Sequence, residues 1–130
     1  MRLKLMAFNV QDLFLKLAYE LKPADIARLS EVEWQQLNGG DVPLKPLKNL
    51  FGLARVFAQE EPDVAMLSEV GGEIALTNFN RLFLRDRYHQ VFLPGNSNRG
   101  IESAYLVRKS LPVTYRAKTH RDWPVQFRYP

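Results

Sequence analysis

The chain has 130 residues, 46% of them hydrophobic and 12% aromatic, with no cysteine and a formal net charge of +4. That length suits one small domain or a piece of a larger one, and that apolar content suits a folded core, not a disordered tail. The lack of cysteine excludes disulfides and thiolate metal sites, and no apolar run approaches the roughly 20 residues of a membrane span.

Charge is unevenly spread. Residues 1–79 carry eight Lys/Arg and eleven Asp/Glu, a net of −3, whereas residues 80–130 carry ten and three, a net of +7. A basic half favours anionic partners such as phosphates, or is simply a solvated surface. Lys4 interrupts the first short apolar stretch, so no signal peptide is expected and a cytoplasmic location follows as the expectation.

Residues 2–9 alternate as a strand, with Leu3, Leu5 and Ala7 on one side. Asp12 is placed to cap a short helix through about Tyr19, and Pro23 suits the first turn of another. Ser30-x-x-Glu33 is a capping box opening a helix through Trp34 to Leu37, which Asn38-Gly39-Gly40 stops before a loop over 38–44.

Residues 46–60 give the clearest helix. Leu47, Leu50, Phe51, Ala54, Phe57 and Ala58 form one apolar stripe, opposite Lys48, Gly52, Arg55 and Gln59. Pro62 ends it and a strand starts at Asp63. A helix over about 73–85 follows Gly71-Gly72, burying Ala75, Phe79, Leu82 and Phe83. Strands are expected at Tyr88–Leu93, Ile101–Arg108 and Val113–Ala117, with a turn-rich loop over 94–100. The tail 119–130 shows no period.

Two strands end in a polar residue: Arg2 through Asn9, and Asp63-Val-Ala-Met-Leu67-Ser68-Glu69-Val70. In sheets flanked by helices, ligand groups gather at the carboxyl ends of the strands. An amide and a carboxylate side by side there suit a hard metal ion.

The segments Phe8-Asn9-Val10-Gln11-Asp12, Asp63 to Val70, and Asn96-Ser97-Asn98-Arg99-Gly100-Ile101-Glu102-Ser103-Ala104 stand in an order that resembles the amino-terminal half of the endonuclease/exonuclease/phosphatase superfamily, the deoxyribonuclease I-like enzymes, in its bacterial endonuclease-like branch. Ser68 stands where that pattern usually has Gln, Asn98 and Glu102 where it tends to have Asp, and residues 15–45 form a longer insert than in compact relatives.

The resemblance implies an α/β fold. It is half of a four-layer α-β-β-α sandwich, one mixed sheet with helices packed on one face. Residues 1–130 would form the amino-terminal half of the domain, with the carboxyl-terminal half absent. It further implies a Mg²⁺-dependent phosphodiesterase (Mn²⁺ as an alternative ion), most readily an endonuclease acting on nucleic acid. Glu69 would be the metal ligand, Asn9 the catalytic orienter, Arg99 a phosphate contact, and Gln11 a further candidate.

Each of these residues also has a plainer reading: Glu69 as a cap for the helix near Gly72, Asn9 as a turn residue, Arg99 as a solvated loop charge. The general base of such enzymes sits on segments resembling Ser-Asp-His and Gly-Asp-Phe-Asn, and neither occurs here. His89 and His120, the latter near Asp122, are not expected to replace it, so this chain alone is expected to be inactive. Half of a two-sheet fold would expose an apolar sheet face, through which the chain would self-associate. The alternative is a non-catalytic binding or assembly module built on a half-domain.

Overall fold

The computed structural model describes residues 1–126 and 128; Phe127, Tyr129 and Pro130, the end of the tail, lie outside it. The chain folds as α/β, in the order β1 (Leu5–Leu13), α1 (Pro23–Ile26), α2 (Glu31–Gln36), α3 (Leu47–Glu60), β2 (Val64–Val70), α4 (Glu73–Phe83), β3 (Tyr88–Val91) and β4 (Glu102–Arg108). The strands form one mixed sheet ordered β1-β2-β4-β3. β1 and β2 run parallel, β4 runs antiparallel to β2, and β3 pairs antiparallel with β4. The long crossover through α3 lets β1 and β2 lie parallel, as such pairs require.

One face of this sheet is covered. Met6 and Phe8 of β1, Ala65 and Leu67 of β2 and Ala104 and Leu106 of β4 pack on Leu50 and Phe57 of α3 and Leu76 and Phe79 of α4. Trp34, Phe83, Phe79, Phe57 and Tyr88 continue this core as tilted or edge-on ring contacts at 5.7–6.1 Å, the arrangement aromatic quadrupoles favour. The α3 stripe is narrower than its periodicity implies: Leu47, Leu50 and Phe57 are buried, while Phe51 is 41% exposed and Ala58 lies outside.

The other face carries Leu5, Ala7, Val64, Met66, Tyr105 and Val107, as the register of the four strands requires. Leu5 is 60% and Tyr105 46% exposed. Among the described residues the extended segment around Val113–His120 borders this face on its β4–β3 side, leaving a groove of about 550 Å³.

Two expected elements are absent. No helix follows Asp12: β1 continues to Leu13, and residues 14–19 run irregularly. Their backbone is bonded by other segments, Ala18 N–H to Leu37 O at 2.8 Å, Gly39 N–H to Lys16 O at 2.8 Å, and Asn78 Nδ2 to Leu15 O at 2.8 Å. These tertiary bonds replace the ones a helix would have made. A Cβ on Gly39 would stand 2.7 Å from Ala18 N, so this approach requires glycine. Val113–Ala117 forms no strand either; Val113 and Tyr115 line the groove over the sheet face and join no ladder.

At the end of the sheet away from the β1–β2 carboxyl termini, buried Asp63 ties three strands together. Its carboxylate accepts from Lys4 N–H at 2.6 Å and pairs with the Arg108 guanidinium, and its carbonyl accepts from Arg108 N–H at 2.8 Å.

Candidate functional site

β1 and β2 stay in register from Leu5↔Val64 to Asn9↔Ser68 and meet again only at Leu13↔Val70. Three residues of β1 therefore face one of β2, and the surplus is a bulge. Gln11 and Asp12 take φ of 49° and 50°, and Glu69 opposite takes 63°. Such left-handed backbone in residues with side chains costs about 1–3 kcal/mol each and clusters at functional sites.

Polar bonds hold this strained corner. Asn9 Nδ2 donates to Glu69 Oε1 at 3.3 Å, and Asp12 N–H donates to Glu69 Oε2 at 3.1 Å. Gln11 N–H donates to Asn9 Oδ1 at 2.8 Å, an Asx turn. Gly71 N–H then closes on Leu13 O at 2.9 Å. A Cβ at position 71 would meet Leu13 O at 2.4 Å, so glycine is obligatory there.

The structure thus brings Asn9, Gln11 and Glu69 to one place. They share a cleft of about 740 Å³ with Asp12, Phe14, Leu44, Lys45 and neighbouring loop residues. Glu69 does not cap α4, whose N-cap is Gly72 with no side-chain bond. Asn9 does make a local turn, and its amide nitrogen is still free to reach Glu69. Arg99 is exposed on the loop that enters β4 at this same end of the sheet. Its N–H donates to Ser97 Oγ at 3.2 Å, and it does not line the cleft.

Two charged residues of the cleft carry no local sequence signal for it. Asp12, a lone acidic residue after an apolar run, looks like a helix cap in the sequence and instead lines the cleft. Lys45 sat in a Pro-flanked loop, Pro43-Leu44-Lys45-Pro46, with no chemical pattern around it. Its ammonium donates to Gln11 O at 2.6 Å. Burial pushes it below the ordinary lysine range, against the pull of the Asp12 and Glu69 carboxylates.

Among the described residues no group of three or more His, Asp or Glu converges on a point that suits a metal. The side-chain oxygens among the cleft's lining residues are those of the Glu69 and Asp12 carboxylates and the Asn9, Gln11 and Gln35 amides. That set fits Mg²⁺, which binds through one or two carboxylates and keeps several waters. His89 packs near Tyr115 at 6.4 Å and His120 edge-on to Trp123 at 5.2 Å; neither lines the cleft. No helix is long and apolar enough to cross a membrane among the described residues. Scans of protein-family models, of curated proteins and of solved structures find no match to this chain.

Proposed function

We propose that this chain is the amino-terminal half of a Mg²⁺-dependent phosphodiesterase of the endonuclease/exonuclease/phosphatase type, acting on nucleic acid. The observation that carries the reading is the 3.3 Å contact between Asn9 and Glu69 where the parallel pairing of β1 and β2 breaks, next to the carboxyl end of β2. Had the two side chains stood at opposite edges, no shared hydrated ion would connect them.

In this reading Glu69 and Asp12 hold the ion, Asn9 orients the phosphate or a metal-bound water, and the ion supplies charge neutralisation on the phosphate. Manganese would serve in its place. The uncovered sheet face is where the second sheet of a four-layer sandwich would pack. Until that face is covered the chain self-associates through Leu5, Met66 and Tyr105. The basic half, net +7 over residues 80–130, favours nucleic acid over smaller phosphodiesters.

One observation favours the second reading, a binding or assembly module. Both Glu69 oxygens already accept hydrogen bonds from the protein, so the carboxylate has a sufficient structural task in pinning the bulge, and no imidazole lines the cleft to act as a base. A polypeptide that continues past Pro130 into Ser-Asp-His and Gly-Asp-Phe-Asn-like segments separates the two. With it, Mg²⁺-dependent cleavage of a labelled oligonucleotide is expected, abolished by Glu69→Gln. Full cleavage by that variant would remove Glu69 from the chemistry.

A further inference from the structure

Lys45 ends the insert of residues 15–45, and its backbone is fixed on every side. Its N–H donates to Phe14 O at 2.9 Å and its carbonyl accepts from Trp34 Nε1 at 2.9 Å. Gln35 clamps the preceding residue twice, Nε2 to Leu44 O at 2.7 Å and Leu44 N–H to Oε1 at 3.1 Å. The Glu31 carboxylate takes the N–H groups of Leu47 and Lys48 at 3.1 and 2.9 Å. α2 therefore supplies bonds on both sides of this one lysine, which is how a preorganised contact is built.

The ammonium is placed but not satisfied. Lys45 is only 8% exposed. An ammonium has three donors, and among the described residues Lys45 Nζ makes one hydrogen bond, to Gln11 O. Among the described residues no carboxylate lies within ion-pair distance of it. A nearly buried cation with open donors is costly unless a partner arrives. The cleft it lines also holds Glu69 and Asp12. With Lys45 these give one net negative charge, which a divalent cation converts to one net positive charge. A phosphodiester, singly negative, neutralises it.

We propose that Lys45 is the phosphate-contacting residue of this cleft, its open N–H groups binding a non-bridging oxygen of the phosphodiester. The phosphate contact that the resemblance implies for Arg99 then falls to a residue of the insert. The choice of phosphate as the anion rests on the function proposed above; the built, open cation does not.

The test follows dimethyl phosphate, a minimal phosphodiester, by ¹H–¹⁵N NMR titration of the 130-residue chain with and without Mg²⁺. Lys45→Gln is expected to weaken phosphate binding about tenfold or more, the loss of a charge-assisted hydrogen bond. Lys45→Arg, which keeps the charge, and Arg99→Ala are expected to stay near wild type, while Lys45→Gln, which removes a positive charge from the cleft of Asp12 and Glu69, is expected to bind Mg²⁺ at least as tightly as wild type. The dispersion of each variant's spectrum shows that it is folded.

Equal phosphate affinity in wild type and Lys45→Gln overturns the proposal. So does no binding by the wild type, or a loss confined to Arg99→Ala. Mg²⁺ titration of wild type against Glu69→Gln is read separately. If phosphate depends on Lys45 while no Mg²⁺ binds, the lysine assignment stands and the metal reading falls. If Mg²⁺ binds through Glu69 while phosphate ignores Lys45, the reverse holds.

Discussion

Asn9 faces Glu69 as an amide facing a carboxylate, and that choice of residue types sets what the pair tolerates. The Asn9 Nδ2–H is the donor in the 3.3 Å contact. Asn9→Asp removes it and puts a second negative charge against Glu69. In metal-free buffer this variant should lose roughly 1–3 kcal/mol of stability. Added Mg²⁺ should restore much of the loss, because a divalent ion between two carboxylates binds only the folded state. Urea melts with EDTA and with Mg²⁺ check this; a loss that Mg²⁺ leaves untouched would count against an ion between these side chains. Gly71→Ala acts on the same corner from below. With Leu13 O at 2.4 Å and Phe14 Cδ1 at 2.7 Å from the new Cβ, the strands must part where the bulge closes. A loss of about 2 kcal/mol or more is expected in the same melts.

At the scale of elements, α2 is short, six residues, and depends on its ends. Ser30 Oγ accepts from Glu33 N–H and the Glu33 carboxylate accepts from Ser30 N–H, both at 3.1 Å. The backbone N–H of Ser30, and then its side chain, hold the Glu33 carboxyl below its ordinary value of 4.5. A group depressed on folding stabilises the fold above its unfolded pKa, and that contribution is lost as pH falls through the folded value. Wild type and Glu33→Gln should therefore differ at neutral pH and converge in acid when their urea midpoints are compared. A difference that persists unchanged at low pH would contradict this origin. Trp34→Phe tests the next link: it deletes the indole N–H on Lys45 O, a buried bond, and should cost about 1–3 kcal/mol.

The capping box, the 46–60 helix, the Pro62 stop and the strand that carries Glu69 were all legible in the sequence because each is specified locally, by spacing or by a cap. The segments that were not legible are specified from afar. Residues 14–19 look free to coil into a helix until Leu37, Gly39, Lys45 and Asn78 claim their backbone. Val113–Ala117 alternates like a strand but spends its alternation on the face of a sheet. Of the cleft, the Asn9–Glu69 pair could be read because strand ends show polar residues against apolar runs. Asp12 and Lys45 could not, since a bulge of this size and a contact across 34 positions leave no local trace.

At the scale of the whole molecule, a one-sided sheet leaves an apolar surface that a solitary chain gains nothing by exposing. Leu5, Met66 and Tyr105 are 60%, 37% and 46% exposed on neighbouring strands. Sedimentation equilibrium at micromolar concentration should give a mass above that of the 15.1 kDa chain, and Leu5→Lys with Tyr105→Lys should return it to monomer. A monomeric wild type would remove this face as an interface between copies.

The amide–carboxylate corner is a metal site or it is only a brace, and paramagnetic broadening by Mn²⁺ decides between them most directly. In ¹H–¹⁵N spectra of the 130-residue chain, substoichiometric Mn²⁺ should broaden the amides of Asn9, Gln11, Asp12 and Glu69 first, Mg²⁺ should compete the effect away, and Glu69→Gln should abolish it. Broadening scattered over surface carboxylates such as Glu20 and Asp41, unchanged by Glu69→Gln, would contradict the account.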